Sequence, residues 1–167
     1  MKYIDNLPQV GTLQWIGLRP ARRATIAVVN DAEISNIGLV GDFFNGSAGS
    51  PRAVTLIQAE HLTVVASILG RKFVDPALLR RNLVVAGINL KSLKRKPFQI
   101  GSAILLGTGN CAPCSFMEEQ LGLGGYNAMR GHGGITASII QPGKIAVGDA
   151  VKFLPSVLVQ GPDLNAS

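Results

Sequence analysis

Cys111 and Cys114, the two cysteines of the chain, stand three residues apart in the stretch GTGNCAPCSFMEEQLGLGGYNAMRGHGG, residues 107–134. Ser115 followed three residues later by Glu118 fits a capping box, so a short helix is expected from Ser115 and Gly122 should end it. Cys114 then lies beside the positive end of that helix, where free N–H groups and the macrodipole favour thiolate over thiol. A thiolate is what soft-metal ligation and sulfur nucleophilicity both require, which makes Cys114 the candidate catalytic residue and metal ligand. The competing reading is a small, inert, buried cysteine. Cys111 is expected to be a partner or spare thiol. Its spacing from Cys114 fits a dithiol redox motif, but the βαβ context is missing. A structural zinc would need His61 and His132, the two histidines, from remote segments at no recognised spacing.

The segment after the expected helix carries Gly122, Gly124, Gly125, Gly131, Gly133 and Gly134, with Asn127, Arg130 and His132 among them. Glycine permits positive φ and close backbone approach to a ligand, as in anion-binding nests. Neither the phosphate-loop nor the dinucleotide fingerprint is present. Arg130 and His132 inside this segment point to an oxyanion or phosphate contact; without a ligand it would be a mobile loop. Arg52, Arg80, Arg81, Asn82 and Asn127 complete the polar set, arginine being suited to bidentate phosphate contacts. Asp42 either orients a basic group or ends a turn. Arg19, Arg22 and Arg23 read as solvated charge.

The elements that must position these residues are mainly β. Strands are expected at Thr12–Leu18, Ala24–Val29, Ala53–Ile57, Leu83–Ile88, Ala103–Leu106, Thr136–Ile140 and Ala150–Leu154, several rich in Val, Ile and Thr and most bounded by Gly, Pro, Asn or Asp. Pro142-Gly143 reads as a tight connection and Gly148-Asp149 as a turn. Gln58–Leu69 places Ala59, Leu62, Ala66 and Leu69 on one helical face, with Gly70 as its stop. Asp75-Pro76 is an N-cap with proline at the first helical position, launching a helix over Ala77–Asn82. The pattern implies a mainly β domain with a few short helices, a barrel or strongly curled sheet. One domain is expected over residues 1–154, with 155–167 as a loosely held tail.

Hydrophobic residues make up 47% and charged residues 16%, a globular composition. The N-terminus lacks the basic-then-apolar order of a signal peptide, and no apolar run approaches about 18 residues, so cytoplasmic residence without membrane attachment is the expectation. The net charge of +6 comes from dispersed basic residues, with local concentrations at Arg19–Arg23, Arg80–Arg81 and Lys91–Lys96. Aromatics, at 5%, do not interleave with these, which weighs against nucleic acid and for an anionic small-molecule ligand. The scattered acidic residues form no paired-carboxylate signature, and no Ser–His–Asp set stands out.

In order along the chain, GLVGDFFNGSAGSPRAVTLIQAEHL, LRRNLVVAGINL, FQIGSAILLGTGNCAPC and GGYNAMRGHGGITASIIQPGKIAVGDAV resemble the MOSC domain, the C-terminal domain of molybdenum cofactor sulfurases, over about residues 10–154. The resemblance implies a MOSC-type β-barrel-like domain working in molybdenum-cofactor or sulfur chemistry. It makes Cys114 the expected molybdenum ligand or sulfur carrier, and Arg52, Arg81 and Asn82 cofactor-pocket residues. The leading expectation is a molybdenum-cofactor (molybdopterin) protein that reduces N-hydroxylated substrates. In it Cys114 ligates the metal, Arg52, Arg81, Asn82, Asn127, Arg130, Gly131 and Gly133 hold the cofactor, and His132 donates a proton. Electrons would come from partner proteins. The alternatives are a sulfur carrier passing a Cys114 persulfide from a donor protein to a partner's metal centre, and a non-enzymatic module for an anionic ligand. Pyridoxal phosphate would belong to a separate partner.

Overall fold

The computed structural model describes residues 3–44 and 46–155. Seven strands close into a barrel: β1 (Gly11–Leu18), β4 (Val54–Gln58), β5 (Leu83–Ala86), β6 (Pro97–Ile100), β7 (Ala103–Asn110), β8 (Ile135–Gln141) and β10 (Ala150–Phe153). Their order is β10–β6–β7–β8–β4–β5–β1, and β1 returns to β10 through Gly11 opposite Val151. Neighbours are antiparallel except β4 and β5, which run parallel, Leu56 facing Leu83. A parallel pair cannot be joined by a tight turn. Here the crossover carries α1 (Ala59–Ile68) and α2 (Pro76–Leu79). Beyond its contact with β10, β1 pairs with the short β2 (Ala27–Val29); β3 (Asp31–Ile34) and β9 (Gly143–Ala146) form a separate two-stranded sheet.

Two cores follow from side-chain alternation. Every barrel strand contributes to the interior cluster, which includes Leu13, Leu56, Val85, Phe98, Ile100, Leu105, Ala137 and Val151. The second cluster lies on the outer face of β4 and β5, where Ile57 and Val84 pack with Val65, Leu79, Met117, Leu121 and Met129 of the helices. Strands covered on both faces read as continuous apolar runs, as VTLIQ and LVVA do. In β1 the register shifts between Leu13 and Trp15, so Leu13 and Ile16 both point inward while Trp15 packs against the helical cluster. This outer layer carries α3 (Ser115–Leu121) and α4 (Gly125–Met129), and with them the cysteine segment and the glycine-rich loop.

All seven expected strands are present with shifted ends; the second shrinks to Ala27–Val29. β3, β6 and β9 were not expected. Pro97 begins β6, a place where a strand tolerates proline, and Gly143 begins β9 directly after Pro142. The helix expected over Ala77–Asn82 stops at Leu79, because Arg80 adopts a left-handed conformation (φ 57°) and Asn82 lies at the start of β5. The expected tail falls, from residue 156 on, outside the described residues.

Candidate functional site

The strand β7 runs into the cysteine segment, which is fixed from two sides. The Cys111 N–H donates to the Gly134 carbonyl at 2.9 Å. On the other side is Arg81, the residue after the left-handed Arg80. Buried to 6% exposure, it donates from Nε to the Gly133 carbonyl (2.9 Å), from Nη1 to Leu79 (2.9 Å) and from Nη2 to Cys111 (3.2 Å). One guanidinium thus holds the cysteine segment, the glycine-rich loop and the end of α2 together. Asn82 is fully buried; its Oδ1 accepts the Thr55 N–H at 3.1 Å and its Nδ2 donates to the Gly17 carbonyl at 3.3 Å, tying β4 and β1 to the start of β5. Arg81 and Asn82, expected to line a cofactor pocket, make these bonds to the backbone of neighbouring elements.

Cys111 is buried and Cys114 exposed, and both are free thiols. Cys114 immediately precedes α3, and its carbonyl accepts the Met117 N–H at 2.9 Å. Ser115 is therefore the first helical residue and not the cap. Glu118 does not reach back as a capping box requires: its carboxylate accepts the N–H groups of Gly124 (2.7 Å) and Tyr126 (2.8 Å) at the start of α4. Those two bonds hold the Glu118 carboxyl below its ordinary value.

Cys114 lines a cavity of about 580 Å³ together with Arg19, Arg22, Arg23, Arg80, Phe43 and Phe116. Asp42, whose side chain is wholly buried, takes the Arg19 guanidinium in a fork, Nε to Oδ1 at 3.1 Å and Nη2 to Oδ2 at 2.8 Å, and also accepts the Arg19 backbone N–H at 2.7 Å. The Arg23 guanidinium lies 4.6 Å from the Phe116 ring centre and pairs with Glu119 at 3.2 Å; Arg80 approaches the same ring at 5.6 Å and donates to the Ala24 carbonyl at 2.6 Å. Burial, and then the positive charge of Arg19, hold the Arg80 guanidinium below its ordinary value, with Arg23 adding to this and Asp42 opposing it. Four guanidiniums face two ion-paired carboxylates, and Arg22 forms no ion pair among the described residues. The cavity therefore presents surplus positive charge beside an exposed thiol. Arg23 and Arg80, at φ 59° and 57°, are two of the three non-glycine residues with positive φ among the described residues, a conformation that side chains adopt at a cost and that gathers at functional sites.

Arg130, Gly131 and Gly133 line a second, smaller cavity of about 240 Å³, with Cys111, Lys91 and Tyr126. The structure thus divides the residues read as one site: Cys114 opens on one cavity and the glycine-rich loop on another, with the cysteine segment between them. Asn127 is exposed on α4, and Arg52 is exposed in the loop before β4. His132 stacks edge-on against His61 of α1, ring centres 5.0 Å apart, and its Nδ1 is buried without a hydrogen-bond partner. The two histidines, set aside as remote in sequence, are neighbours in the fold. Burial, then His132, then Lys91 lower the pKa of His61 below its ordinary value, with Glu60 opposing. No group of three or more metal-ligating His, Cys, Asp or Glu side chains is present among the described residues.

Arg22 and Arg23, read from the sequence as solvated charge, are exposed as expected; Arg19, read the same way, is instead partly buried against Asp42, and that ion pair is what sequence reasoning missed. The available signal was Asp42: a lone carboxylate in an apolar GDFF stretch needs a partner, and the nearest arginine cluster supplied it.

Among solved structures, the fold is similar to that of the YUAD protein from Bacillus subtilis (TM-score 0.75, 19% identity, covering 87% of this chain and 96% of that one). It is also similar to YiiM from Geobacillus stearothermophilus (TM-score 0.70, 14% identity, 87% and 75%) and YiiM from Escherichia coli (TM-score 0.66, 20% identity, 86% and 70%). At these identities the likeness is one of fold. No curated protein matches the chain in sequence. The family model of the MOSC domain matches residues 45–152, a span that holds Cys114, Arg81 and the glycine-rich loop and begins after Arg19–Asp42. With this match and the closed seven-stranded barrel, the chain belongs to the MOSC domain family.

Proposed function

We propose that this MOSC protein binds an anionic molybdenum–pterin cofactor in the Cys114 cavity and reduces N-hydroxylated compounds with electrons from a partner protein. The observation that carries the reading is the exposed Cys114 thiol in a cavity bordered by four arginines. Soft sulfur suits a softer metal, and guanidiniums suit a phosphate. The donor set fits the group: Cys114 would ligate the metal, and Arg19, Arg22, Arg23 and Arg80 would hold the anionic end. When bound, the cofactor supplies the redox chemistry of the metal. The chain's own residues do the rest. Asp42 fixes the Arg19 fork, Phe116 carries Arg23 and Arg80 on its face, and Arg81 sets the backbone from which Cys114 projects. Arg130, Gly131 and Gly133 line the neighbouring cavity, and His132 lines neither cavity but packs against His61, so it would donate a proton only through an intervening group.

A second reading has its own support. A sulfur carrier needs only one accessible thiol, and Cys114 is accessible while Cys111 is not. Cys114 would then hold a terminal sulfur as a persulfide, delivered by a donor protein and passed to a partner's metal centre.

Metal and pterin analysis of protein purified from a host that makes the cofactor decides between them. Near-stoichiometric molybdenum, absent in Cys114→Ser, is the expected result. Cyanide-labile sulfur on Cys114 without metal would establish the carrier. Neither, with cellular function retained in Cys114→Ser, would leave a non-enzymatic anion-binding module.

A further inference from the structure

The smaller cavity and the glycine-rich loop are not absorbed by the Cys114 site, and they adjoin a second feature. Lys91, which lines that cavity with Arg130, also lines a groove of about 490 Å³ with Lys94, Arg95, Lys96 and Ile4. Cavity and groove share Lys91, and their linings meet again at the consecutive Gly109 and Asn110, so the two lie side by side as one basic track. Lys96 is tied down by Asp5 at 3.2 Å and lies 5.7 Å from the Phe153 ring centre. Lys91, Lys94, Arg95 and Arg130 form no ion pair among the described residues. Arg95 is the third non-glycine residue with positive φ, 62°, held there by its N–H bond to the Gly107 carbonyl at 2.7 Å, while its side chain stays exposed. Two apolar surfaces interrupt the charge, Tyr126 at 40% and Ile4 at 57% exposure.

We infer that this track docks an acidic face of a partner protein, one of whose carboxylates enters the cavity between Lys91 and Arg130. Charge complementarity sets the sign of the partner. Its class follows from the rest of the surface. A single-stranded nucleic acid calls for successive aromatic platforms along a basic groove, and among the described residues Tyr126 is the one aromatic ring in the lining, Phe153 meeting only Lys96 of that lining. Arginine and tyrosine around a concave centre, with one exposed aliphatic side chain, are residue types that protein contacts favour, and the lysines set the sign of the charge that the partner must match. At about 240 Å³ the cavity falls below the roughly 300–1,000 Å³ of small-molecule pockets but accommodates a side chain. Cys111, Ala112 and Pro113 of the cysteine segment line the track, and Cys114 and Ser115 line the thiol cavity.

The test uses the intact chain and a fluorescently labelled oligoglutamate peptide, with an oligothymidylate of equal charge as competitor, read by fluorescence anisotropy at about 50 mM salt. The expected result is peptide binding that weakens with salt and falls about tenfold or more in Lys91→Gln/Lys94→Gln/Arg95→Asn/Arg130→Gln, while Arg22→Gln binds as the parent does. Asparagine at position 95 keeps the left-handed backbone accessible. Should the quadruple variant melt early, Lys91→Glu alone, at an exposed position shared by cavity and groove, carries the same expectation. Undiminished binding in these variants, loss in Arg22→Gln instead, or tighter binding of the oligothymidylate would each overturn the proposal. So would displacement of the peptide by inorganic phosphate where chloride at equal ionic strength leaves it bound.

Discussion

The Arg81 guanidinium bonds the carbonyls of Cys111 at 3.2 Å and Gly133 at 2.9 Å, so one buried side chain joins the cysteine segment to the glycine-rich loop. A third bond runs to Leu79. Truncation would leave three carbonyls without this donor. Each lost bond of this kind costs about 1–3 kcal/mol, so Arg81→Met should lose roughly 3–5 kcal/mol and about 10 °C in Tm. Arg81→Lys should recover little, since an ammonium cannot reach three divergent carbonyls in a plane. Thermal melts of both variants beside Cys114→Ser check this. An Arg81→Met melt within a degree or two of the parent would mean that Arg81 is not the strut.

Two glycines of the loop should respond very differently to one added methyl group. Gly131 and Gly134 both have positive φ, 81° and 88°. A Cβ at Gly131 meets nothing within 4 Å, whereas at Gly134 it would fall 1.8 Å from the Leu56 carbonyl oxygen on β4. Gly131→Ala should therefore cost about 1 kcal/mol, the backbone penalty alone. Gly134→Ala should cost about 4 kcal/mol or more, because β4 cannot recede from the barrel. Urea unfolding of the pair measures the difference, and equal costs would contradict the close approach.

These contrasts also mark what could be read from the residues. The strands with branched, apolar runs declared themselves, since their burial is continuous; β3, β6 and β9 did not, since DAEI and GKIA are short and partly charged and PFQI opens on proline. Cys114 and the order of motifs were legible because local chemistry marks them. The division of the site into two cavities was not, because it depends on how the cysteine segment lies between α3 and the loop. Arg19 was misread for the same reason: its partner Asp42 comes from elsewhere in the chain, whereas Arg22 and Arg23 are the exposed charge they read as. The two histidines, 71 positions apart, meet only because α1 and the end of α4 cover the same wall of the barrel.

Burial of His61, reinforced by that histidine contact, gives the stability of the fold a pH dependence near neutrality. Burial and the neighbouring His132 and Lys91 lower the His61 pKa from 6.5 in the folded chain. The unfolded state then binds more protons as pH falls through 6.5, so the stabilisation is complete above that value and lost below it. Urea midpoints should fall between about pH 7.5 and 5.5, and His61→Gln should flatten that limb. Glu118, whose carboxyl is lowered from 4.5 by the Tyr126 and Gly124 amides, adds a separate loss at more acid pH that Glu118→Gln should remove. A parent limb unchanged in His61→Gln would show that the decline has another source.

The two thiols should differ in reactivity as sharply as they differ in burial. Cys114 is exposed beside surplus positive charge, and Cys111 is buried at 5% exposure behind its bonds to Gly134 and Arg81. An anionic disulfide reagent is drawn to the arginine cavity by the same field that would hold an anionic cofactor. Native protein should therefore release one equivalent of reporter quickly, and the second only in denaturant. Raising salt should slow the first phase by screening the arginines, and Arg22→Gln should slow it at low salt. Substituting Cys114→Ser should abolish the fast phase, leaving Cys111 to report unfolding. Two equivalents released together from the native chain, or a fast phase indifferent to both salt and Arg22, would remove the electrostatic case for an anion at Cys114 and with it the main support for a cofactor there.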